Sequence, residues 1–194
     1  LTKAARSQHL RVQRTVLDAG GVARAIDDMA EALLEEEPAG DGLMLIGIRT
    51  RGLPLAERLA AAIARRSGVT PPIGALDITL YRDDLSTIGP QPVVRGTDLP
   101  GPIDGRVVVL CDDVLYTGRT VRAALDELAD YGRPRAVRLA VLVDRGHREL
   151  PVQPDVVGLR LDTTPEQVVE VAFADVDGSD AVRLLARAGE EEEA

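Results

Sequence analysis

Residues 107–128 read VVVLCDDVLYTGRTVRAALDEL, and the order of parts in that stretch decides the fold. Val107 to Leu110 is a short continuous apolar run, the mark of a strand covered on both faces. Cys111 follows in the strand, where a small buried residue is expected rather than a reactive thiol. The run ends in adjacent carboxylates, Asp112 and Asp113, passes through Tyr116, Thr117, Gly118, Arg119 and Thr120, and enters a segment with Val121, Leu125 and Leu128 at helical spacing. A helix N-terminus offers unpaired N–H groups and a positive dipole end, Gly118 permits close backbone approach, and two threonine hydroxyls add donors. These residues make a phosphate cradle. The two carboxylates cannot serve the same phosphate, because like charges repel; they suit sugar hydroxyls or the water shell of a Mg2+. The same residues also fit an Asp-Asp turn followed by a Thr-capped helix.

Outward from that stretch, the pattern alternates. Helices are predicted over 21–37, 52–66 and 117–131, with a last one over 180–188; strands over 43–48, 73–81, 106–111, 136–143, 156–161 and 168–173. Such alternation predicts an α/β fold, an open, mainly parallel twisted sheet flanked by helices, as one domain. Ligands then bind beyond the carboxyl ends of the strands. Residues 1–18 read as a polar N-terminal arm, 144–175 as a small hood, and 189–194 as an acidic tail. Between Arg82 and Arg106 lie four Gly and four Pro with little periodicity, which fits a long flexible loop over the site.

The chain has 194 residues, 45% of them apolar and 2% aromatic, with 23 basic against 32 acidic residues and one Cys. One Cys excludes a disulfide framework and a Cys-rich metal site. Four aromatic residues are too few for a base-stacking platform, and the net charge of −9 argues against a general polyanion binder. No apolar run is long enough to span a membrane and the N-terminus lacks a signal-peptide core, so a cytoplasmic protein is expected. Neither a dinucleotide fingerprint nor a P-loop occurs.

The stretch DDVLYTGRT resembles the binding motif for phosphoribosyl pyrophosphate (PRPP) of the type I phosphoribosyltransferases. Together with GIRTRGL (47–53), DITLYRDDLS (77–86) and VLVDRGHRELP (141–151), it is similar to the PyrR family, uracil phosphoribosyltransferases that also regulate pyrimidine operons. The resemblance implies Mg2+-dependent conversion of uracil and PRPP to UMP and pyrophosphate, in pyrimidine salvage. It places Asp112 and Asp113 at the ribose and, through water, at Mg2+; Tyr116 to Thr120 at the 5′-phosphate and ribose; Arg49, Thr50, Arg51 and Gly52 at the pyrophosphate; and Asp144, Arg145, Gly146 and His147 at uracil. Arg49 and Arg51 also offer planar forks suited to a pyrophosphate, although solvated arginines would look the same. Arg82, with Asp83 and Asp84 at the root of the long loop, is a further catalytic candidate, a charged loop root being the other reading. Purine phosphoribosyltransferases commonly carry an acidic residue where Tyr116 stands.

The family commonly forms dimers or larger assemblies, and the resemblance implies a homo-oligomer. It also implies a second role, UMP-dependent binding of operon leader RNA. Relatives known for that role have a basic first helix; here it reads Asp27, Asp28, Met29, Ala30, Glu31. Residues 27–41 hold seven carboxylates and no cation, and 190–193 four more. On a phosphate-facing surface such residues repel. Weak or absent RNA binding is therefore expected. Arg24, His147, Arg148 and Arg160 remain basic.

Overall fold

The computed structural model describes residues 10–81 and 96–187. Their elements are β1 (Leu10–Leu17), α1 (Ala19–Glu36), β2 (Leu43–Ile48), α2 (Gly52–Ser67), β3 (Ile73–Leu76), β4 (Val107–Leu115), α3 (Arg119–Leu128), β5 (Ala136–Asp144), β6 (Val156–Arg160), β7 (Val168–Ala172), α4 (Ala174–Asp177) and β8 (Ala181–Arg187). Among the described residues, no helix is long and apolar enough to cross a membrane. The chain forms two compact units: residues 25–161, and a second made of residues 1–24 with 162–194.

The larger unit holds the expected parallel sheet, in the order β3-β2-β4-β5-β6. Leu43 to Ile48 are all buried, as are Val107 to Leu110, because helices cover both faces of a parallel sheet. The buried face of α3 is Val121, Ala124 and Leu128; Leu125, expected on that face, is 40% exposed. Two strands end differently from the sequence expectation. The strand predicted to close at Cys111 continues to Leu115, and the segment 73–81 leaves the sheet at Leu76 for a 3-10 turn over Ile78–Tyr81.

The smaller unit is a three-stranded antiparallel sheet, β1-β8-β7. Two expectations fail here. The segment predicted as a last helix is β8, and the polar arm contributes β1, paired along its length with β8. The hood predicted over 144–175 likewise divides: 144–161 belong to the larger unit.

Part of the predicted long loop is tied down. Asp98 exchanges two backbone hydrogen bonds with Ala75, and Ile103 is buried in the main core. A polar network joins that return segment to the sheet: Asp77 N–H donates to Thr97 Oγ1 (3.0 Å), Gly96 N–H to Asp77 Oδ2 (3.2 Å), and the Thr97 hydroxyl to Glu127. Glu127 is 4% exposed and its Oε2 has no hydrogen-bond partner among the described residues. Burial raises its pKa, against the Thr97 hydrogen bond and with help from Asp77 and Asp130.

The tightest backbone contact binds α2 to the central strands. A Cβ on Gly52 would stand 2.1 Å from the carbonyl oxygen of Cys111, and one on Gly47 would stand 2.3 Å from Leu53 Cα. Neither position admits a side chain without moving backbone. Gly52→Ala is expected to cost about 3 kcal/mol in urea unfolding. Gly68→Ala is the control: its Cβ meets nothing and only its φ of +76° is strained, so the loss should be about 1 kcal/mol. Equal losses would contradict the contact. The raised pKa of Glu127 means that its ionised form weakens the fold above that pKa, so stability rises as pH falls towards the unfolded value of about 4.3. Glu127→Gln should therefore add about 1 kcal/mol at pH 7 and little at pH 4, by chemical denaturation at both.

Candidate active site

Successive strands from β2 lie on opposite sides of it: β3 on one flank, β4 on the other. The crevice between the carboxyl ends of β2 and β4 is thus the topological switch point, where open α/β sheets bind ligands. Pairing of β2 with β4 runs out at Gly47 and Cys111, whereas β5 accompanies β4 onward to Leu115. Asp112 and Asp113 therefore lie in the last turns of a strand that has lost one neighbour, and the turn Arg49–Gly52 occupies the vacated side.

Asp112 is buried and Asp113 half-buried, with Asp113 N–H donating to Asp112 Oδ1 at 3.0 Å. Burial raises the pKa of Asp113, while a hydrogen bond from Asp112 and the positive charge of Arg51 pull it down. Arg49 holds its backbone N–H on the Leu76 carbonyl (2.9 Å), its peptide to Thr50 is cis, and its Nε is buried with no hydrogen-bond partner among the described residues. A buried donor left unmade is expensive, which fits an anion at this turn.

The turn expected to cradle a phosphate leads directly into α3. Gly118, at φ +93°, is the N-cap of α3 and has no side chain of its own to cap that end. The Thr117 hydroxyl accepts from Arg119 N–H at 3.4 Å, and Thr120 lies in the first turn. The Arg119 side chain is exposed and pairs with Glu149 (2.7 Å).

The segment after β5 is laced to this turn. Arg145 N–H donates to the Leu115 carbonyl, and Glu149 and Leu150 N–H both donate to the Thr117 carbonyl, at 3.0 to 3.2 Å. The Arg145 guanidinium is buried 4.1 Å from the centre of the Tyr116 ring, and burial lowers its pKa. His147, exposed at φ +60°, meets the same ring edge-on at 5.9 Å. Asp144 is buried and accepts from Gly146 N–H (3.0 Å), Arg148 (2.7 Å) and Arg160 (3.3 Å), so its carboxylate organises the loop. The sequence reading missed Arg148 and Gly47 as parts of the site; their only signals were the motifs that contain them. Arg82, Asp83 and Asp84 lie outside the described residues.

Among the described residues no three His, Cys, Asp or Glu side chains converge as a metal cage. Cys111 is fully buried, and desolvation drives its thiol pKa upward.

Comparison with known proteins agrees with this geometry. Residues 12–175 match the family model "Phosphoribosyl transferase domain". Proteins named "Bifunctional protein PyrR" from Pelotomaculum thermopropionicum (50% identical, over 90% of this chain and 97% of the relative), Deinococcus deserti (55%, 88% and 93%) and Thermus thermophilus (51%, 93% and 99%) are similar along nearly their whole length. In fold, the chain is similar to the hypoxanthine phosphoribosyltransferase of Trypanosoma cruzi, with TM-score 0.70 at 16% identity over 91% of this chain and 98% of the other. A hypoxanthine-guanine phosphoribosyltransferase from Bacillus anthracis gives 0.62 at 18% identity, over 81% and 88%. With the switch-point crevice, the paired carboxylates and the glycine-led helix start already in place, these matches make the chain an enzyme of the phosphoribosyltransferase family and, within it, a member of the PyrR proteins.

Proposed function

We propose that the protein transfers the phosphoribosyl group of PRPP to uracil, giving UMP and pyrophosphate. The observation that carries this reading is the convergence, at one switch point, of the Arg49–Gly52 turn, the Asp112–Asp113 pair and the glycine-led N-terminus of α3. The α3 end and the Thr117 and Thr120 hydroxyls hold the 5′-phosphate. Asp112 and Asp113 accept hydrogen bonds from the ribose hydroxyls, and Arg49 and Arg51 grip the pyrophosphate. Transfer at the anomeric carbon leaves positive character on the ribose and negative charge on the departing pyrophosphate, so positioning and charge stabilisation are what the protein must supply. Asp112 and Asp113 also suit a Mg2+ bound mainly through water, which would neutralise part of the pyrophosphate charge.

Uracil is favoured by the loop Asp144–His147. Its carboxylate and one of its N–H groups are engaged internally, and Tyr116, packed under Arg145, stands where a purine enzyme commonly has an acid. Uracil alternates carbonyl acceptors and N–H donors, which a fixed loop reads largely through backbone groups. Turnover of PRPP with uracil, orotate, hypoxanthine and guanine, each with Mg2+, should show uracil preferred; preference for a purine would reverse the assignment.

The identity of about 50% to proteins named bifunctional favours a second, regulatory role. Its RNA contact should be weak. Asp27 of α1 pairs with Arg65 and Arg66, Glu31 with Arg66, Glu36 with Arg138, and Glu37 with Arg135, so acidic side chains already neutralise the neighbouring arginines. Titration of a pyrimidine-operon leader hairpin at near-physiological salt tests this, and specific binding strengthened by UMP would refute it.

The direction of the Asp113 pKa separates function from stability. A carboxyl raised above its ordinary value weakens the fold when ionised, and stability recovers as pH falls through that pKa. Asp113→Asn should raise the melting temperature at pH 7 by a few degrees while lowering kcat/KM about 100-fold. A variant that is both less stable and fully active would contradict the assignment.

A further inference from the structure

We infer that Arg148, which carries no assigned role in the reaction, is the positioning residue that sets the base-reading loop at the correct height above the phosphate turn. The inference rests on the phosphoribosyl-transfer reading given above. Although Arg148 lies in a loop beside exposed neighbours, its side chain is only 13% exposed. Its guanidinium donates in three directions: Nε to the Val152 carbonyl (3.0 Å), Nη1 to the carbonyls of Tyr116 (2.8 Å) and Gly146 (3.2 Å), and Nη2 to Asp144 Oδ1 (2.7 Å). Those acceptors belong to both halves of the site. Tyr116 is the residue before the Thr117–Gly118 turn, whereas Asp144 and Gly146 are the start of the segment that faces the base. Val152 closes that segment; its Cβ would stand 3.4 Å from one on Gly118.

A planar fork with five donors can satisfy these acceptors together, and a lysine ammonium cannot. Asp144 supplies the counter-charge and is itself held by Arg160 and Gly146 N–H. Backbone bonds from Glu149 and Leu150 to Thr117 fix the far end of the loop. Arg148 fixes the near end, where Gly146 and His147 take positive φ angles of 75° and 60°. Its charge is directed into the loop carbonyls and not towards solvent. Since attack on the anomeric carbon tolerates errors of only a fraction of an ångström, a loop freed at this end loses the base before it loses the phosphate.

The test compares wild type, Arg148→Lys and Arg148→Ala in steady-state kinetics and in equilibrium binding of UMP and of ribose 5-phosphate, which lacks the base. In both variants KM for the base should rise about 10- to 100-fold, with KM for PRPP changed less than about threefold. UMP affinity should fall likewise, with ribose 5-phosphate affinity unchanged, and millimolar guanidinium should partly restore Arg148→Ala. Equal losses for both ligands, or wild-type affinity for UMP, would overturn the inference. So would a fall in kcat alone that tracks a lowered melting temperature. If wild type prefers another base, the functional reading fails, and the same comparison with that base and its nucleotide still decides the role of Arg148. The binding arm decides it in the absence of any turnover.

Discussion

Two peptide backbones meet at Gly52 and the Cys111 carbonyl with no room for a single methyl group, and the site depends on that approach. Gly47 admits the start of α2 against β2, and Gly52 admits it against β4. The consequence is chemical as well as steric. The residue after Cys111 is Asp112, so the turn bearing Arg49 and Arg51 is held beside the carboxylate pair by backbone contact, independent of any side-chain rotamer. An arrangement of opposite charges left to flexible side chains would lose much of its value to entropy and solvent. Built on backbone, it is fixed before a ligand arrives.

That preorganisation has an energetic cost that the pKa directions reveal. Burial opposes the ionisation of Asp113, and Asp112, Arg51 and backbone N–H groups at Asp113 and Val114 offset it only in part. The Nε of Arg49 lies buried without a partner among the described residues. A sequence selected for stability alone would place apolar or neutral residues here. Elsewhere in the larger unit the strain is of a different kind: Glu127 is buried against the return of the 96–106 segment, and Tyr81, whose hydroxyl donates to Asp130, is pushed up to about 12 by that bond. These groups lie on α3, just after it, and on the 3-10 turn that follows β3.

The parallel sheet was legible because its strands are short apolar runs between helical periodicities, as at 43–48 and 107–110, and nothing competes with burial on both faces. The cradle was legible because Thr117, Gly118 and Thr120 stand between strand and helix. The misses share a cause, which is that local pattern was settled by distant partners. Ala181–Arg187 places Val182, Leu184 and Ala186 on one face, but Leu185 also fits a helix; pairing with β1 and β7 selects the strand. Within β1 the alternation is hidden by Arg11, Gln13 and Arg14 and broken by two register shifts. The strand extension through Asp112 and Asp113 contradicts β propensity, since Asp is depleted in strands. It occurs because β5 continues beside them. Arg148 stands in the sequence as one of several remaining basic residues, and no local feature shows that its guanidinium turns inward.

Charge placement reconciles an acidic protein with an anionic ligand. Carboxylates of α1 and of Glu37 just after it reach arginines on α2, β5 and the segment before β5, and each such exposed pair contributes little to stability, about 0 to 1 kcal/mol. Their larger effect is on the field: Arg65, Arg66, Arg135 and Arg138 are each matched by a carboxylate a few ångströms away, so that side of the sheet offers a polyanion little net attraction. At the strand ends the balance differs. Arg49 enters no ion pair among the described residues, and Arg51 faces Asp113, whose ionisation burial resists. A small, multiply charged anion that fits the crevice would meet Arg49 and Arg51 at short range, where low dielectric strengthens the interaction. A long polyanion approaching these four arginines would meet pairs already closed. For this −9 protein the charge that a compact anion would meet in the crevice differs from the charge that an extended one would meet outside it, because the distance over which charge is summed differs.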